Sequence, residues 1–140
     1  MARDYRQIGI YHLAYDFVLE IYRLTKDFPK AEEQNITSQI RRAAVSIPLN
    51  IAEGSAKASD REFAYYLNVA YASAKEVEVL LNLCCDLKYL DELQGKQLVL
   101  KLDEVNAKLF LFLRNIEARI GSSRYHFFKK FEEKTADSEK

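Results

Sequence analysis

Apolar residues recur every third or fourth position, without a slip, along one long stretch of this chain. Phe63, Leu67, Ala70, Ala74, Val77, Leu81 and Cys84 alternate by four and three. Such spacing keeps one face of an α-helix apolar and is incompatible with the two-residue period of a strand. The same pattern appears twice more, in Ile10, Leu13, Phe17, Ile21, Leu24 and Phe28 and in Leu98, Leu102, Val105, Leu109, Phe112 and Ile116. Only four Gly and two Pro interrupt 140 residues, so long loops and hairpins have little to form from.

The helix ends are equally legible. Phe28-Pro29 closes the first helix, because the residue before proline is pushed out of the helical region. Ser59-Asp60-Arg61-Glu62 is a capping box that opens the third, and Asp91 opens the fourth. Gly121 is a stop signal after it. The helices are predicted at about 4–28, 32–54, 60–88 and 91–120, with an extension to about 134. Long helices joined by short connections pack as antiparallel neighbours. The expected fold is therefore all-α, one up-down antiparallel four-helix bundle over residues 1–134, followed by a polar, frayed tail at 135–140.

The second helix differs from the others because Pro48 lies inside it. The phase of Ile36, Ile40, Ala43, Ile47 and Ile51 runs straight through that proline, which predicts one kinked helix rather than two. A second apolar face carries Val45, Pro48, Leu49 and Ala52, with Arg41 at its upper end. Between the two faces lies a narrow polar seam of Gln39, Arg42, Ser46, Asn50 and Glu53. A small bundle buries only one face of each helix in its own core. The second face therefore calls for a neighbour, and another copy of the chain is the simplest one. Val45, Pro48, Leu49 and Ala52, with the seam residues, are accordingly candidates for an oligomer interface. The Arg42 and Glu53 side chains could neutralise one another along the seam or meet partners across that interface; alternatively the arginines, one set per subunit, could form a basic channel or patch.

The motif just described carries a resemblance. The run from Gln39 to Gly54, QIRRAAVSIPLNIAEG, closely resembles the hallmark of the 23S rRNA intervening-sequence protein family, also called four-helix-bundle proteins. Ile21 to Pro29 extends it upstream, and Ser59, Glu62, Phe63 and the Leu87–Leu90 turn extend it downstream. The likeness spans about Ile8 to Leu90 and reaches the fourth helix by pattern only. It implies a bacterial protein of a family often encoded within 23S rRNA genes, forming homopentameric rings and carrying no enzymatic activity. A related branch, the accessory protein of diversity-generating retroelements, works with a reverse transcriptase and nucleic acid. The resemblance thus implies a homo-oligomer whose further partners are RNA, DNA or a reverse transcriptase. The chain departs from the pattern at Tyr11, where the family often has Trp, and at Ala72-Ser73, where a Gly-Ser pair is common.

Lys+Arg and Asp+Glu both number 21, so the formal net charge is zero and attraction for phosphate requires a local patch. Arg41 and Arg42 on the second helix, with Lys57 and Arg61 around the Gly54 turn, are the candidates for nucleic-acid or partner binding. Repeated on a ring, they would act together through effective concentration. Arg124 to Phe131 interleaves basic and aromatic residues, which suits either stacking on bases or a buried amphipathic stripe.

Catalysis finds no foothold. His12 and Asp16 are one turn apart without a third ligand, His126 is alone, and the four glycines are isolated. Cys84 and Cys85 are adjacent on a helix, so they point apart and read as reduced thiols rather than a disulfide or zinc site. No cofactor or metal is expected. The N-terminus lacks a signal-peptide core, and no apolar run is long enough to span a bilayer, so a cytoplasmic protein with no membrane contact is the expectation.

Overall fold

A computed structural model describes residues 3–120, and these form an up-down bundle of four helices with no strand among them. The helices are α1, Gly9–Thr25; α2, Ile36–Ser55; α3, Asp60–Asp86; and α4, Glu92–Glu117. Their inner faces make one core. Ile10, Phe17, Ile21 and Leu24 of α1 meet Ile40, Ile47 and Ile51 of α2, and all seven predicted α3 positions are buried. Two predicted core positions shift by one residue. Ala14 is buried where Leu13 is only half-buried, and Leu113 where Phe112 is half-buried. In both cases the true helical step keeps the smaller or better-centred side chain inward, and the larger neighbour covers the core edge.

α1 is shorter than its apolar pattern suggests. Asp4 caps a 3-10 turn at Tyr5–Gln7 by accepting from the Arg6 amide at 3.0 Å, and Ile8 is then extended before α1 begins. At the other end α1 stops at Thr25, and Phe28 is buried beyond the helix. A second 3-10 turn, Lys30–Glu32, delays the start of α2 to Ile36. The Glu32 carboxylate holds this corner together. It accepts from the Ile36 amide at 3.3 Å and from the Tyr89 hydroxyl at 3.1 Å, tying the α1–α2 connection to the α3–α4 turn.

α3 is capped by Ser59, whose hydroxyl accepts from the Glu62 amide at 3.2 Å. It ends in a Schellman turn, with the Tyr89 amide donating to the Cys84 carbonyl at 3.0 Å and the Lys88 amide to the Cys85 carbonyl at 3.1 Å. Lys88 takes the left-handed position, φ 64°, usually given to glycine. α4 opens with a full capping box between Asp91 and Gln94. α2 continues unbroken through Pro48, as its apolar phase predicts. The expectations for residues 121–134 and for the 135–140 tail lie outside the described residues.

Candidate functional site

The outward sides of α1 and α2 form an apolar groove of about 520 Å³. From α2 it takes the four residues of the second apolar face, Val45, Pro48, Leu49 and Ala52. From α1 it takes Tyr11, Tyr15, Val18, Leu19 and Tyr22, and Tyr5 closes the lower end. No charged side chain lines it. Pro48 is buried on its floor, whereas Leu49 is 57% exposed, Leu19 55% and Tyr15 49%. An exposed apolar patch of this character is a candidate docking surface.

The α1 half of the groove went unread in the sequence, although its signal is there. Tyr11, Tyr15, Val18 and Tyr22 step by four, three and four, a second apolar stripe on the helix that already supplies Ile10, Phe17 and Ile21 to the core. The rings order one another. Tyr5 stands edge-on to Tyr11 at 4.8 Å between centroids, and Tyr11 meets Tyr15 at 5.9 Å. Burial, with the phenols of Tyr5 and Tyr15 beside it, pushes the Tyr11 hydroxyl above its ordinary pKa, so Tyr11 presents a neutral hydroxyl to the groove.

The candidate basic residues separate. Arg41 turns into the bundle, with its Nε donating to Thr25 Oγ1 at 2.8 Å and its guanidinium 4.7 Å from the Tyr22 ring centroid. It fastens the upper end of α2 to α1. Lys57 lies with its ammonium 5.2 Å from the Tyr66 ring, and its carbonyl accepts from Arg3 at 2.9 Å. Arg3 also pairs with Asp60 and stands over the Phe63 ring, so the lower end is knotted by short-range contacts. Arg42 and Arg61 are exposed. Arg42 and Glu53 do not neutralise each other within the chain, because eleven residues of helix set them roughly 16 Å apart.

The polar seam divides as well. Ser46 Oγ meets Ser73 Oγ at 2.8 Å, and Asn50 donates to Ser46 Oγ at 2.9 Å and to the Ser46 carbonyl at 2.7 Å. Ser46 and Asn50 therefore link α2 to α3 inside one chain. Ser73 belongs to the Ala72-Ser73 pair noted above, so the serine of that pair takes part in helix packing. Gln39, Arg42 and Glu53 are exposed, Gln39 reaching Asn35 at 3.3 Å.

The remaining candidates are quiet. His12 bonds the Arg6 carbonyl at 2.7 Å, and no cluster of three metal-ligating side chains occurs among the described residues. Cys84 is buried, and burial reinforced by the neighbouring Cys85 pushes its thiol up to about 11, far from a reactive thiolate. No helix of the described residues is long and apolar enough to cross a membrane.

A family model described as 23S rRNA-intervening sequence protein matches residues 6–110, extending the likeness well into α4. No curated protein matches the chain. Among solved structures, the chain is similar to a protein of unknown function from the S23 ribosomal protein family of Bacteroides thetaiotaomicron VPI-5482. The two are 27% identical with a TM-score of 0.69, over 75% of this chain and 98% of that one.

Proposed function

This chain belongs to the 23S rRNA-intervening sequence protein family, and from that premise we propose that it works as a non-catalytic, self-assembling binding module. Copies join through the α1/α2 groove into a ring, with five the number proposed, and the ring acts in the cytoplasm as an adaptor for nucleic acid or for an enzyme that handles it. The observation that carries this reading is the groove itself: an uncharged, tyrosine-rich hollow on a chain whose own core is already complete. Assembly would repeat Arg61, at the start of α3, at fixed spacing, so a chain of zero net charge would gain a multivalent set of cations.

A second reading is favoured by the inward turn of Arg41 and the seating of Lys57 on Tyr66. Arg41 and Lys57 are engaged within the chain, which suits a structural or protein-binding ring without a nucleic-acid role. The two readings separate by titration of labelled single-stranded and duplex RNA and DNA at two ionic strengths, using protein whose mass has been measured by light scattering. An adaptor binds at low salt, weakens steeply as salt rises, and loses affinity in an intact Arg61→Ala assembly. No binding by the wild type at low salt selects the structural ring.

A further inference from the structure

α3 carries a second exposed apolar surface. Tyr65, Val69, Ala72, Val79 and Leu83 share one stripe, with Glu76 at the position between Ala72 and Val79. They lie on the side of the helix opposite the core positions Phe63, Leu67, Ala74 and Leu81; Val69 is half-buried there, and Tyr65, Ala72, Val79 and Leu83 are exposed. Tyr65 is 64% exposed and Val79 68%, and Leu87 continues the stripe past the helix end.

Resting on the self-assembly proposed above, we infer that the α3 stripe of one copy fills the α1/α2 groove of the next. Shape supports this pairing. Two grooves set face to face would enclose an apolar void, whose lining loses its contacts. A single helix is a ridge that can lie between two others. Area supports it too. The exposed parts of Tyr5, Tyr15, Leu19, Tyr22 and Leu49 present on the order of 500 Å², and those of Tyr65, Val79, Leu83 and Leu87 on the order of 400 Å². Each is half or more of the roughly 800 Å² per partner in a specific interface, leaving the rims to supply the remainder.

Charge points the same way. The groove lining is uncharged, and the one charge on the stripe is Glu76. Arg42 is exposed one turn from Val45 and two turns from Leu49, on the rim the stripe would reach. Neither Glu76 nor Arg42 has an ion-pair partner among the described residues. Because groove and stripe are different surfaces, each copy uses one toward each neighbour. Such a heterologous contact builds a ring when its rotation closes, which a groove-to-groove pair does not.

The test uses the full chain with Leu49→Asp and Val79→Asp, both at exposed positions, with helical content checked by circular dichroism and mass by light scattering at micromolar concentration. The wild type is expected to assemble and each variant alone to run as a monomer. Their equimolar mixture is expected to form a complex of two chains, because Val79→Asp keeps the groove and Leu49→Asp keeps the stripe. If Val79→Asp assembles like the wild type, the stripe is not the occupant although self-assembly stands. A mixture that stays monomeric overturns the pairing as well. A monomeric wild type overturns self-assembly itself and leaves the groove to residues 121–140 or to a different protein.

Discussion

Gly54 and Gly95 show how much a single hydrogen can decide. A Cβ added at Gly54 would stand 2.7 Å from Tyr66 Cβ and 2.9 Å from Phe63 Cδ2. Tyr66 Cβ is fixed to the α3 backbone, so the helices would have to separate. Overpacking of this kind costs about 1–3 kcal/mol, more than the roughly 0.5–1 kcal/mol that alanine gains over glycine inside a helix. At Gly95 the added atom meets only Cys85 Sγ, at 2.8 Å, the end of a side chain beside an open groove that can turn away. Gly54→Ala is therefore expected to lose about 1–2 kcal/mol in urea unfolding, and Gly95→Ala to match or exceed the wild type. Equal stability of the two variants would contradict the close approach of α2 and α3. The glycine of the recognised motif thus has a packing reason, which spacing along the sequence could not supply.

Between elements, the adjacent arginines do different work. Arg41 joins α2 to α1 through Thr25 and Tyr22, while Arg42 points to solvent. Losing a charge-assisted hydrogen bond and a cation–π contact should cost Arg41→Ala about 1–2 kcal/mol. Thr25 Oγ1 keeps its bond to the Ile21 carbonyl at 2.7 Å, so no buried hydroxyl is stranded. Arg42→Ala should stay within about 0.5 kcal/mol of the wild type, as an exposed side chain with no ion-pair partner among the described residues does. Denaturant midpoints measured in the Leu49→Asp background keep assembly out of this comparison, and equal losses would refute the division. The helix wheel alone places the two arginines about 100° apart; only the position of α1 tells which is the strut.

For the molecule as a whole, assembly linked to folding makes stability depend on concentration. Each tenfold rise in protein should add up to about 1.4 kcal/mol per chain, which is a few degrees in thermal midpoint at this size. Wild-type scans over a hundredfold concentration range are expected to climb, and Leu49→Asp scans to coincide. A wild-type midpoint indifferent to concentration would count against the ring. Both apolar surfaces that motivate this expectation belong to exposed sides of helices whose other sides are wholly committed to the core. Neither can be withdrawn by rotating a helix without opening that core.

The all-helical class, the four helices, the caps at Ser59 and Asp91 and the α3 core positions follow from the sequence, because period and capping are local properties of consecutive residues. Continuity through Pro48 follows for the same reason, since the phase of Ile36 to Ile51 does not slip. The groove was half legible: one apolar wall could be read from α2, but the tyrosine wall needed α1 laid beside it. The partners of the seam were not legible, since the Ser46–Ser73 hydrogen bond exists only once α3 lies against α2. The fates of Arg41 and Lys57 were likewise decided by Thr25 and Tyr22 in one case and Tyr66 in the other. Periodicity reports which way a side chain faces relative to its own helix axis; what it meets there depends on contacts between segments far apart in the chain, and those exist only once the bundle has closed.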